Sequence, residues 1–84
     1  VPSSAEKLFE KAQNTQSGWK RQEIDRLYIG FGFTIRHGQN HDIVSHPNYP
    51  DLRATLPRQK IMKPVYVRQA VRLIDALLSQ QENN

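Results

Sequence analysis

The chain contains no cysteine. That excludes a disulfide framework and any thiolate-bound metal. It also has no apolar run near the roughly 20 residues needed to cross a bilayer as a helix. No segment combines a basic start, an apolar centre and a small-residue cleavage site, so a cytoplasmic location is expected. Apolar residues are scarce at 37%, and aromatic ones scarcer at 8% with a single tryptophan. A mean hydropathy of −0.72 matches that composition. Only a modest core can be built from it. The most localised shortage is of negative charge, because no acid occurs between Arg53 and Arg72.

What the chain does hold in that interval is Arg53, Arg58, Lys60, Lys63, Arg68 and Arg72. The net charge is +4 and the isoelectric point about 9.8. The acids lie elsewhere, at Glu6, Glu10, Glu23, Asp25, Asp42, Asp51, Asp75 and Glu82. Such asymmetry favours a polyanionic partner, either nucleic acid or an acidic protein. At 84 residues the chain is sized for one small domain.

Residues 1–18 read as a helical extension and its link. Ser4 is placed to cap a short helix, and Leu8, Phe9 and Ala12 give it a narrow apolar face. The polar segment from Asn14 to Gly18 then breaks the pattern. Residues 19–84 read as the main domain. Ile24, Leu27, Tyr28 and Phe31 recur at helical spacing, and Gly30 and Gly32 offer two stops. Trp19 is expected to staple the start of this helix to the core, the alternative being an exposed ring for base stacking.

Phe33–His37 alternates as a half-buried strand, Gly38–Asn40 is a turn, and His41–His46 a second strand with an ambiguous buried face. Pro47–Asp51 reads as a stiff turn, Leu52–Leu56 as a third alternating strand, and Pro57–Lys63 as an irregular basic link. Pro64 suits the first turn of a helix, and Val67, Ala70, Val71, Ile74, Leu77 and Leu78 draw its apolar stripe. Gln80–Asn84 is expected to be a frayed tail. The resulting fold class is α+β, with helices on one face of an antiparallel meander and the other face open.

Glu23–Leu27, Gly32-Phe33, Arg36, Asn40–Ile43, His46-Pro47, Leu56–Arg58 and the segment from Lys63 to Arg68 follow one another in an order that resembles HicA-family toxins. The resemblance runs from Lys20 to Leu78. It implies a compact α-β-β-β-α domain of the double-stranded-RNA-binding type, here with an extra N-terminal helix. It also implies a type II toxin–antitoxin function: a metal-independent endoribonuclease, or mRNA interferase, held silent by a HicB-like antitoxin protein. Gln39-Asn40-His41 stands where that family has Gly-Ser-His, Arg58-Gln59 where it often has a second histidine, and Pro64-Val65 where it has Gly-Thr.

RNA cleavage without a metal needs one group to take the proton of the ribose 2′-OH and another to protonate the leaving 5′-oxygen. Histidine suits both roles near neutral pH, and cations stabilise the phosphorane. The resemblance assigns His41 as the catalytic histidine. His37, across the turn, is a possible second group, although strand alternation would turn it inward with Phe33 and Ile35. His46 reads as a turn-capping residue. Arg36, Arg53, Arg58, Lys60 and Lys63 are the candidate RNA contacts. The three histidines, spaced by four and five residues, match no standard zinc pattern, and no cofactor is expected. Two functions stay open: the nuclease, and an RNA-binding or protein-interaction module of the same fold that does not cleave.

Overall fold

Ile24, Leu27 and Tyr28 share one side of a helix because they are spaced at three and four residues, and all three are fully buried. The helix that carries them packs with a second helix against a sheet, and a third lies on those two helices. The computed structural model describes residues 4–82. In chain order the elements are α1 (Ser4–Asn14), β1 (Trp19–Lys20), α2 (Arg21–Gly30), β2 (Thr34–His37), β3 (Asp42–His46), β4 (Tyr49–Leu56), β5 (Ile61–Met62) and α3 (Pro64–Glu82). This is an α+β arrangement. Strands β2, β3 and β4 form an antiparallel sheet in that order, and β1 pairs with β5 in a separate two-stranded ribbon. No helix among the described residues is long and apolar enough to cross a membrane.

Alternation decides the faces of the sheet. Phe33, Val44, Leu52, Ala54 and Leu56 turn inward onto α2 and α3, where Val67, Ala70, Ile74 and Leu77 complete the core. The opposite face carries Thr34, Arg36, Ile43, Ser45, Arg53 and Thr55, which are exposed or half-buried. The ambiguity at Ile43-Val44 is thereby resolved in favour of Val44, which is fully buried.

Several boundaries differ from the sequence reading. The segment Pro47–Asp51 is not all turn: β4 starts at Tyr49, and His46 pairs with Tyr49 before the register shifts to Ser45 opposite Arg53. Pro50 is tolerated because β4 is an edge strand, where a missing N–H need not break a ladder. The basic link is not wholly irregular either, since Ile61-Met62 pairs with Trp19-Lys20. Trp19 is a strand residue, fully buried, with its indole N–H donating to the Thr15 carbonyl at 3.0 Å. Base stacking by Trp19 is therefore excluded. Helix α3 begins at Pro64 as expected but runs on to Glu82, beyond the tail expected from Gln80. Ser3, and the tail residues 83–84, lie outside the described residues.

Helix α2 stops at Gly30, and Gly32 follows with φ of 92°, a left-handed value that glycine adopts without strain. A side chain on Gly32 would also press on the His46 ring, whose Nε2 would lie 3.0 Å from its Cβ. Helix α1 belongs to the same core, with Ala12 fully buried and Phe9 meeting Phe31 edge-on at 5.5 Å. Lys11 ties α1 to α2 through Glu23 at 2.8 Å and lies over the Trp19 ring. The Lys11 bond, aided by the Lys20 amide, holds the Glu23 carboxyl below its usual range.

Candidate functional site

Asp42 opens β3 at an inward-facing position, the parity of Val44 and His46, and its side chain is almost completely buried. A lone carboxylate there would be costly, so its partners matter. Arg21, from the first turn of α2, donates to Oδ2 at 2.6 Å. Arg58, from the loop after β4, donates through Nε to Oδ1 at 3.0 Å. His37, the cross-strand neighbour of Asp42, places Nδ1 2.9 Å from Oδ1. The His37 bond, then those from Arg21 and Arg58, hold the Asp42 carboxyl well below the usual carboxylate range against the opposing effect of burial.

The same arginines lock the surrounding chain. Arg21 also donates to Asp25 at 2.7 Å and to the Pro57 carbonyl at 2.9 Å. Arg58 donates to the carbonyls of Gly38 and Gln39 in the β2–β3 turn. That turn is closed by the Gly38 N–H donating to the His41 carbonyl at 2.9 Å. One buried carboxylate thus gathers α2, the β2–β3 turn and the loop after β4.

This arrangement settles the tautomer of His37. An ionised carboxylate only accepts hydrogen bonds, so Nδ1 carries the proton that points at Asp42. In the neutral ring Nε2 is then the lone-pair nitrogen. Alternation does give His37 the inward parity expected of it, but the residue ends an edge strand and its side chain is 82% exposed. The ring is therefore held at one nitrogen and open at the other, the state required of a general base.

His37 and Asp42 form one wall of an open groove of about 660 Å³, completed by Lys20, Arg21, Arg58 and Lys60 among others. His41 lies at the far end of the β2–β3 turn, exposed, and among the described residues its ring makes no hydrogen bond or ion pair. His46 is buried between Phe33 and Tyr49, and its Nδ1 accepts the Asn48 N–H at 3.1 Å. It caps the turn, as its sequence position suggests.

The candidate RNA contacts divide into groups. Arg58 and Lys60 line the groove, while Arg36 and Arg53 stand on the open face of the sheet. Lys63 is exposed between β5 and α3. Arg58 is already engaged by Asp42 and the turn carbonyls. The sequence reading missed Asp42, Arg21 and Lys20. The available signal was weak: an acid two residues before Val44 faces inward only if Val44 does, and the strand's buried face is ambiguous from its sequence. No three His, Asp or Glu side chains converge into a metal-binding group among the described residues. Compared with protein-family models, curated proteins and solved structures, the chain matches none of them.

Proposed function

We propose that this chain is a metal-independent endoribonuclease of the HicA type, acting on mRNA in the cytoplasm and silenced by a cognate antitoxin protein. The observation that carries the reading is the His37 ring, bonded to Asp42 through Nδ1 and open at Nε2 beside a cationic groove. The order α2-β2-β3-β4-α3, interrupted only by the two-residue β5, supports the fold side of the proposal, because it is compatible with the α-β-β-β-α order that the resemblance implies.

In this mechanism Nε2 of His37 removes the proton of a ribose 2′-OH. The 2′-oxygen attacks the adjacent phosphorus, and the bond from phosphorus to the 5′-oxygen breaks. His41, across the same turn, protonates the departing 5′-oxygen. The products are a 2′,3′-cyclic phosphate and a free 5′-OH. The positive charge lining the groove offsets the charge that gathers on the phosphorane. Asp42 stabilises the imidazolium formed on His37 and fixes its orientation.

The test is incubation of the purified chain with a long RNA in chelator, followed by analysis of the ends. Cyclic-phosphate and 5′-hydroxyl ends are expected, and intact RNA would refute the proposal. The lack of an orienting partner for His41 favours a second reading, an RNA-binding module that does not cleave. That module would retain RNA affinity in the same assay without producing fragments.

A further inference from the structure

Proton transfer leaves one wall of the groove without a role. Lys20 and Ile61 are cross-strand partners in the β1/β5 ribbon. Their chain neighbours Trp19 and Met62 are buried, so Lys20 and Ile61 turn outward together. Ile61 is 68% exposed, more than the other large exposed hydrophobics, Ile29 and Val65. Gln22 and Gln59 line the same groove. Arg21 and Arg58 are committed to carboxylates, whereas neither Lys20 nor Lys60 forms a salt bridge among the described residues.

An apolar surface, two amides and two cations are the components of a nucleotide site. A base needs a non-polar face to lie on, and single-stranded RNA offers its bases unstacked. Amide side chains supply both a donor and an acceptor, which suits the edge of a base and is superfluous for a bare phosphate. The lysines match the charge of the flanking phosphates. The groove, at about 660 Å³, falls in the range of pockets for small ligands.

We propose that Ile61 is the platform of a nucleobase subsite for single-stranded RNA. One base lies on Ile61, its edge meets Gln22 and Gln59, and its phosphates rest on Lys20 and Lys60. The next phosphate along the strand is delivered to His37. This inference deepens the nuclease reading and rests on it for its purpose, but the binding it describes is measured separately.

The experiment uses NMR titration of the full chain with four homopolymeric RNA tetranucleotides, an abasic ribose-phosphate tetramer, and a polyglutamate peptide. The RNA tetramers are expected to shift the Ile61 methyl groups and the Gln22 and Gln59 side-chain amides. The abasic tetramer should shift only the lysines and bind about fivefold or more weakly. Ile61→Ser should weaken the RNA tetramers by a similar factor and leave the abasic affinity unchanged. Gln59→Ala should weaken RNA in the same selective way. Equal binding of the abasic tetramer or polyglutamate would overturn the proposal, leaving a lysine patch. Shifts centred on Ile43 and Thr55 of the open sheet face would also overturn it. A chain that passes this test but leaves long RNA intact keeps the subsite and loses the nuclease reading. A chain that cuts RNA equally well with Ile61→Ser loses the subsite alone.

Discussion

Arg21 and Asp42 lie 21 residues apart in the chain and are joined by a 2.6 Å ion pair at the junction of α2 and β3. The pair is shielded, and Arg58 and His37 satisfy the other carboxylate oxygen. Removing Arg21 leaves Oδ2 without its partner and the buried carboxylate less fully compensated. Arg21→Met is therefore expected to lower the melting temperature by roughly 10 °C or more. Because the folded-state pKa of Asp42 is depressed, its contribution is present above the unfolded carboxyl value, about 4, and is lost as pH falls toward the lower folded value. Wild type should therefore lose stability below about pH 4 more steeply than Asp42→Asn, as followed by thermal melts across pH. Parallel acid limbs in the two proteins would count against the network.

Arg58 differs from the other proposed RNA contacts in being tied to Asp42 and the turn. If those ties persist with RNA bound, Arg58→Ala should leave the dependence of log affinity on log salt nearly unchanged. Lys60→Ala should flatten the slope by about one. Hydrogen exchange should meanwhile show the Gly38 amide opening faster in Arg58→Ala, because its turn has lost a clamp. A flattened slope with Arg58→Ala and unaltered exchange would make Arg58 a phosphate contact.

The Tyr28 hydroxyl is buried and has no hydrogen-bond partner among the described residues. Burial pushes its pKa up, and the ring packs edge-on against Phe33 at 5.3 Å. Tyr28→Phe keeps the ring and removes an unsatisfied polar atom. It should be neutral or stabilising by up to about 1 kcal/mol in denaturant melts. A clear loss of stability would show that the hydroxyl has a partner, such as a buried water.

The parts of the fold that were legible in the sequence have a period. The stripes of α2 and α3 announced Ile24, Leu27, Val67, Ala70, Ile74 and Leu77, all of which are buried. Alternation likewise marked Leu52, Ala54 and Leu56. The β1/β5 ribbon was not legible because two-residue strands carry no periodicity. The start of β4 was hidden by Pro47 and Pro50, since turn chemistry and an edge strand share those residues. The histidines were visible as candidates, yet their ranking depended on Asp42. Its cationic partners lie 21 residues before it and 16 after it, beyond any local pattern. Packing alone could show that His37 is the oriented ring.

Helix α1 supplies Ala12 to the core, places Lys11 over the Trp19 ring, and contributes the Lys11–Glu23 bridge. Deleting residues 1–17 uncovers that surface. The truncated protein should be less stable by about 3 kcal/mol or more, because several apolar side chains lose their cover. Denaturant melts measure this directly. An unchanged midpoint would mean that α1 is only an attachment to the remaining domain.

The most direct measurement is the single-turnover rate of RNA cleavage by His37→Gln and His41→Gln beside wild type, with RNA affinity determined on the same preparations. Glutamine keeps a hydrogen-bonding side chain but cannot shuttle a proton at neutral pH. The proton-transfer account predicts that each variant cleaves about 100-fold or more slowly. Affinity should hold, since phosphate contacts supply most of it. A His37→Gln protein that cleaves at the wild-type rate would contradict the claim that the Asp42-bound ring does the chemistry.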